Sequence, residues 1–144
     1  MRNKTLLCFD HGEKRIGVAV GQTVTGTASP LETVTVKNNI PDWDSITHLI
    51  NSWQPVSLIV GMPLTMDGCH QEMTGIAARF IRQLKGRYHL PVYEIDERLS
   101  SYEARQRLGS TWNIDPVAAQ AILETWLSEH GDNGDNNLQE DNND

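Results

Sequence analysis

The sequence predicts a single α/β domain in which helices flank a five-stranded mixed sheet. Three short β-type segments come first and are separated only by turns, which favours an antiparallel meander. Helical segments then alternate with two further strands, and helical crossovers between strands favour parallel pairing with the first strand. The chain has 144 residues, which is enough for one domain with a substantial core.

The meander is predicted from apolar and β-branched runs. Residues 6–9 are continuously apolar, as in a strand buried on both faces. A turn at 11–14 leads into a strand at 16–20, whose glycine allows close backbone approach. Residues 32–36 alternate in polarity and are β-branched, which is typical of a third strand.

The second half is predicted from helical periodicity and turn signals. A helix at 42–53 precedes a buried strand at 58–61, which runs into a turn-rich loop at 61–68. The remaining elements are a helix with the apolar stripe Met73, Ile76, Ala77, Phe80, Ile81 and Leu84, a strand at 91–95, a short helix at 100–108 and a last helix at 116–129. Three tryptophans on helical stripes, Trp43, Trp53 and Trp126, are predicted to be core residues, whereas Trp112 lies in a loop and could stack on a base or pack on the surface.

Composition excludes several classes of protein. No apolar run approaches the roughly 20 residues that cross a bilayer, and the N-terminus does not resemble a signal peptide. Cys8 and Cys69 form no Cys-x-x-Cys pair, which argues against a disulfide framework and against zinc, and the five histidines show no ligand spacing. We therefore expect a cytoplasmic protein with one domain at 1–130 and an acidic, disordered tail at 131–144.

The charge distribution is uneven. The formal net charge is −7, and the segment 131–144 holds five acidic residues and no Lys or Arg, so the rest of the chain has a net charge of −2. Seven of the twelve basic residues fall within 79–107. This stretch is where a nucleic-acid face would be built, although basic residues on helices can also simply solvate exposed faces.

Three separated acidic residues are the candidate chemistry. Asp10 ends the first strand, Glu97 follows the strand at 91–95, and Asp115 precedes Pro116 at the start of the last helix. Ligands of open α/β sheets bind at the carboxyl ends of parallel strands, and carboxylates there can hold the divalent metal that cuts phosphodiesters. The alternatives without function are a hairpin turn after Asp10 and helix capping by Asp115.

Four blocks of sequence carry a resemblance to a known family. They are residues 9–21, which resemble the opening of ribonuclease H-like and actin-like folds, residues 58–68, residues 96–100, and Asp115 with the apolar residues that follow it. From 6 to 127 the chain resembles the YqgF/RuvX family of Holliday-junction-resolvase-like proteins, also described as pre-16S rRNA nucleases. The resemblance implies a ribonuclease H-like fold and a nuclease that uses Mg²⁺ or Mn²⁺ to mature the 5′ end of 16S rRNA in ribosome biogenesis.

The resemblance also implies roles for single residues. Asp10, Glu97 and Asp115 correspond to the catalytic metal ligands. The family's strand order puts the strands of Asp10 and Glu97 two positions apart, roughly 10 Å. Arg98 is expected to clamp a phosphate or to orient Glu97, and Asp96 to point to the other side of the sheet. Arg79 and Lys14 are further expected substrate contacts. The stretch 108–113 is short and uncharged where the family usually carries a longer basic loop.

The expected partner is structured RNA, either pre-16S rRNA or the small ribosomal subunit, bound by a monomer or homodimer away from any membrane. Two alternatives stay open: a resolvase that acts on DNA junctions through the same site, and a non-catalytic RNA-binding module in ribosome assembly. An actin-like nucleotide binder would need a second domain, for which 144 residues leave no room.

Overall fold

The computed structural model describes residues 3–63, 72–96 and 114–142, with side chains described for 116–130 of the last segment. These residues form six strands and three helices. The strands are β1 (Thr5–His11), β2 (Arg15–Gln22), β3 (Thr27–Lys37), β4 (Ile40–Pro41), β5 (Ser57–Met62) and β6 (Val92–Asp96), and the helices are α1 (Trp43–Trp53), α2 (Glu72–Tyr88) and α3 (Ile114–Asn142).

The strands form one mixed sheet in the order β4-β3-β2-β1-β5-β6. The pairs β1–β2 and β2–β3 are antiparallel, whereas β1–β5 and β5–β6 are parallel. The predicted mixed sheet, with an antiparallel meander followed by strands parallel to the first, is therefore confirmed. The additional strand β4 was not predicted. It returns from β3 through Asn38 and Asn39, which have φ of 52° and 62°, and two residues are too few to show a periodic pattern.

Each face of the sheet is covered by different helices. One core cluster joins Leu7 and Phe9 of β1 to α1 and α2, which supply Ile46 and Phe80. The other joins Leu6 and Cys8 of the same strand to α3, through buried residues that include Ala119, Ile122 and Leu123. Successive side chains of a strand alternate between faces, so β1 is buried on both sides, as its continuous apolar run predicts.

Helix α3 lies close against the sheet. A Cβ placed on Gly21 of β2 would come within 2.8 Å of Leu123 Cδ2. The Gln120 side chain donates from Nε2 to the Ala28 carbonyl of β3 at 3.1 Å. The helix continues to Asn142, so its predicted end at Glu129 is wrong. The apolar face stops at Leu127, and residues without an apolar face carry no helical signal in their pattern. The domain boundary at residue 130 stays a prediction.

The tryptophan predictions have mixed outcomes. Trp43 and Trp126 pack partly buried against the two core clusters, as predicted. Trp53 is 37% exposed rather than a core residue. It is the last residue of α1. The next residue, Gln54, is the C-cap of the helix and adopts a left-handed conformation with φ of 47°. The periodic stripe therefore ends one turn earlier, at Ile50.

Several predicted features lie outside the described residues: most of the loop at 61–68, the short helix at 100–108, the short stretch 108–113, Cys69 and Trp112. Among the described helices, none has both the length and the apolar character needed to cross a membrane.

Candidate active site

Asp10 is the best-defined candidate residue. It lies one residue before the end of β1 and is only 7% exposed. Cys8 belongs to the cluster that packs on α3, and a side chain two residues along a strand points to the same face. The Asp10 carboxylate therefore points to the α3 face of the sheet. A carboxylate largely shielded from water at a strand end offers the hard oxygen ligands that Mg²⁺ prefers.

The turn after β1 is tight and needs a glycine. The Gly12 amide donates to the Arg15 carbonyl at 2.7 Å. A Cβ on Gly12 would lie 2.9 Å from that same backbone oxygen, too close for any other residue without a backbone shift. The Val36 amide donates to the Lys14 carbonyl at 2.9 Å, which ties the turn to β3. The turn thus holds the end of β1 in place and leaves the Lys14 side chain exposed.

His11 is a buried neighbour of Asp10, although the sequence predicts it in the turn and indicates no role for it. Its ring is 6% exposed and meets Phe80 edge-on with centroids 5.0 Å apart, on the α1–α2 face. Its Nδ1 lies 2.7 Å from the Gly12 carbonyl.

Burial lowers the pKa of His11, the charge of Arg79 lowers it further, and the Gly12 carbonyl and Asp10 act in the opposite direction. A neutral ring that donates from Nδ1 to Gly12 fits this setting. Extending β1 by two residues beyond Phe9 would have predicted that His11 points to the Phe9 face.

Strand β6 ends at the same edge of the sheet as β1. Phe9 of β1 is level with Val60 of β5, and Val60 is level with Glu94 of β6. Only β5 separates β1 from β6, so the two strands lie roughly 10 Å apart, as the family's strand order implies. Ile95 packs in the α3-side cluster, and alternation puts Asp96 on the opposite face, as expected. Glu97 and Arg98 follow directly and lie outside the described residues.

Asp115 lies in the first turn of α3, the helix that covers the face to which Asp10 points. The described part of the helix begins at Ile114, so capping by Asp115 stays an alternative to metal binding. The side chain of Asp115 is outside those described.

Arg79 is separated from Asp10 by the sheet. It is an exposed residue of α2 whose Nη2 donates to the Asn39 carbonyl at 3.2 Å, and its charge acts on His11 on the α1–α2 face. Within the described side chains, no three His, Cys, Asp or Glu residues come together as a metal site. Of the three predicted ligands, only Asp10 has a described side chain.

Comparison with known proteins identifies the family. The profile of the RuvX family, described as "Holliday junction resolvase", matches residues 4–129. A protein of Nitrosococcus oceani is 50% identical over 133 residues, which cover 88% of this chain and 88% of the relative. A protein of Pseudomonas aeruginosa is 45% identical over 137 residues, which cover 90% of this chain and 95% of the relative. Both bear the name "Putative pre-16S rRNA nuclease".

Solved structures show the same fold at much lower identity. The chain is similar to Thermus thermophilus RuvC in complex with a Holliday junction substrate, with a TM-score of 0.56 and 14% identity, covering 88% of this chain and 95% of RuvC. A second structure of that RuvC gives a TM-score of 0.52 at 13% identity. The mixed sheet, the matched profile and the close relatives together show that this chain belongs to the RuvX (YqgF) family of nucleases, with a ribonuclease H-like fold.

Proposed function

We propose that this phosphodiester-hydrolysing nuclease cuts structured RNA at a divalent-metal site formed by Asp10, Glu97 and Asp115, and that its substrate is the 5′ region of pre-16S rRNA. One observation carries the proposal. The Asp10 carboxylate is buried at the carboxyl end of β1, on the sheet face that α3 covers. Carboxyl ends of parallel strands are where ligands of such sheets bind.

The register of β6 supports Glu97 as the second ligand. Ile95 pairs with Gly61, one residue beyond the Phe9–Val60 pair, so Ile95 is level with Asp10. Continuing the strand by two residues would turn Glu97 to the same face as Ile95, about 6.6 Å further along β6. A long glutamate that leans back toward β1 can share a cation with the shorter Asp10. Asp115 belongs to the first turn of α3, the helix whose buried residues pack on the same face of the sheet, which supports it as the third ligand.

The donor set fits Mg²⁺ or Mn²⁺, because all three residues offer hard carboxylate oxygens. When bound, the metal would activate a water and stabilise the leaving oxygen. Arg98 and the exposed Lys14 would bind phosphates beside the scissile bond. Arg79 lies on the other face of the sheet and would contact a more distant part of the RNA. His11 donates to the Gly12 carbonyl and so keeps the turn beside Asp10 in place.

RNA is favoured over DNA by the relatives. The proteins 45–50% identical to this chain are named for pre-16S rRNA, whereas the junction-bound neighbour is 14% identical and shows the fold alone. The family's description keeps junction cleavage as the second candidate. We place the enzyme in the cytoplasm, where ribosomal RNA is processed, as a monomer or homodimer.

The test compares cleavage of a pre-16S rRNA fragment and of a four-way DNA junction by purified protein with Mg²⁺ or Mn²⁺. Loss of a metal ligand removes several kcal/mol of transition-state stabilisation, so Asp10→Asn and Glu97→Gln should each lower the rate about 100-fold or more. Asp44→Asn is the matched control, because Asp44 is an exposed acid in the first turn of α1.

Circular dichroism of each variant checks that the fold is intact. Cleavage of RNA by Asp10→Asn at the wild-type rate would refute the proposed site. Cleavage of the junction but not of the RNA, abolished by the same substitutions, would keep the site and favour the resolvase. RNA binding without turnover on either substrate would favour the non-catalytic module.

A further inference from the structure

Three aromatic rings stack in a row on the α3 side of the sheet. Tyr93 of the edge strand β6 stacks on Trp126 of α3, with centroids 5.2 Å apart and planes at 29°. Trp126 stacks in turn on His130 at 3.7 Å and 17°. Tyr93 is 46% exposed and His130 is also exposed, so the row is open to solvent although Trp126 rests partly on the core. We call these three residues the aromatic row.

The helix that carries two of these rings is strongly acidic. All twelve Lys and Arg residues lie before position 108, and twelve of the nineteen acidic residues lie before position 116. The other seven acids lie in 116–144, so this segment accounts for the whole formal net charge of −7. The described side chain of Glu129 is exposed and lies one helical turn from Trp126. Its carboxylate can therefore reach a charged group of a partner that is bound to the aromatic row.

This charge decides between two kinds of partner. Exposed aromatic rings can stack on a nucleobase or on a cationic side chain. A nucleobase brings phosphates with it, and a helix without a single Lys or Arg would repel them. A guanidinium is instead attracted by both the rings and the carboxylates. The same contact already occurs within this chain, where the Arg87 guanidinium lies 4.1 Å from the centre of the Trp43 ring.

We propose that the aromatic row and Glu129 form a docking surface for a basic, arginine-containing polypeptide segment. The surface carries no group assigned to catalysis, and its partner is a protein rather than the nucleic-acid substrate. A segment with spaced arginines would stack guanidinium planes on Tyr93 or Trp126 and pair a neighbouring charge with Glu129.

The test measures binding of a labelled, unstructured peptide with arginines spaced by Gly and Ser to the full chain, by fluorescence anisotropy at low salt. Tyr93→Leu should weaken binding about 2- to 5-fold, and Glu129→Gln about twofold. The matched controls are Trp53→Leu and Glu32→Gln, which change an exposed aromatic residue and an exposed acid outside the aromatic row. Both should leave the affinity for the peptide unchanged. A peptide with Lys in place of Arg should bind more weakly, because an ammonium cannot stack as a plane.

Three results would overturn the proposal. The first is absence of peptide binding, or binding that Tyr93→Leu leaves unchanged. The second is binding of a single-stranded oligonucleotide that Tyr93→Leu weakens and Glu129→Gln does not, which would identify a base-stacking site. The third is self-association in sedimentation experiments that Tyr93→Leu abolishes, which would identify a second copy of this chain, docked through its basic α2, as the occupant.

Discussion

Gly21 allows α3 to approach the sheet, and Gly21→Ala tests how closely that contact is packed. The new Cβ would lie 2.8 Å from Leu123 Cδ2, 3.1 Å from Leu123 Cγ and 3.1 Å from Leu127 Cδ1. Favourable carbon contacts are about 3.5–4.0 Å, so each distance is short by several tenths of an ångström or more. Leu123 is 0% exposed and Leu127 is 3% exposed, so neither leucine can swing into solvent.

The expected cost follows from two opposing effects. Overpacking in a core costs about 1–3 kcal/mol, and replacing a strand glycine with alanine returns about 0.5–1 kcal/mol. We expect Gly21→Ala to lower the free energy of unfolding by about 1–2 kcal/mol. Leu123→Ala alone should cost about 2–5 kcal/mol. In the double variant the truncated side chain at position 123 no longer meets the new Cβ, while the short contact with Leu127 remains, so the combined loss should be smaller than the sum by about 1 kcal/mol.

Urea denaturation followed by circular dichroism measures all three variants. Gly86→Ala is the matched control, because a Cβ on Gly86 of α2 meets nothing within 4 Å and should stabilise the helix by up to about 1 kcal/mol. Close packing of α3 on Gly21 would be refuted if Gly21→Ala were as stable as Gly86→Ala, or if the losses of Gly21→Ala and Leu123→Ala simply added. Either result would mean that α3 does not lie as close to β2 as the distances require.

Further predictions concern the turn and the metal site. Because burial lowers the pKa of His11 from 6.5 in the folded protein, the unfolded chain binds more protons than the folded chain as the pH falls below that value. In the presence of a chelator, stability should therefore fall as pH drops from about 7.5 to 5.5. His11→Gln should show a smaller fall in stability than the wild type, and equal pH profiles of the two proteins would contradict this. Gly12→Ala, with its Cβ 2.9 Å from a carbonyl oxygen, should cost about 1–3 kcal/mol in urea denaturation and also lower nuclease activity; an unchanged denaturation midpoint would contradict the tight turn. Asn39→Ala should lower the free energy of unfolding by about 1 kcal/mol because the backbone at position 39 has a positive φ, whereas Asn39→Gly should not lower it. Equal stability of the two variants would show that the backbone is relaxed at this position. Mn²⁺ should raise the melting temperature of the wild type and not that of Asp10→Asn, and a shared rise would place the metal elsewhere.

Local pattern was sufficient for most of the fold. The continuous apolar run of β1 indicates burial on both faces, and both of its faces are indeed covered by helices. The helical crossovers correctly indicate that β5 and β6 run parallel to β1. Asp10 was found because a carboxylate at the end of a buried strand is recognisable from the residues alone. Its roles with Glu97 and Asp115 rest on the positions of the three acids in the chain and on the family resemblance, and they stay predictions.

The features that pattern did not predict each involve residues far apart in the chain or the place where an element ends. His11 is buried because Phe80 of α2 packs over it. Trp53 is exposed because α1 ends at the next residue. The aromatic row forms because α3 crosses the sheet face from which Tyr93 projects. The contact of His11 with Phe80 and the stacking of the aromatic row have no signature within a window of neighbouring residues.

The sequence alone therefore determined the order of the elements, the direction of the strands, the family and the segment that holds the net negative charge. Each of these depends on short-range periodicity, on motif order or on composition. Only the tertiary structure decided that α3 packs on Gly21, that Arg79 and Asp10 lie on opposite faces, and that three distant rings form one stack. Such contacts depend on how two faces fit together, which is a property of packing between elements and not of either element alone.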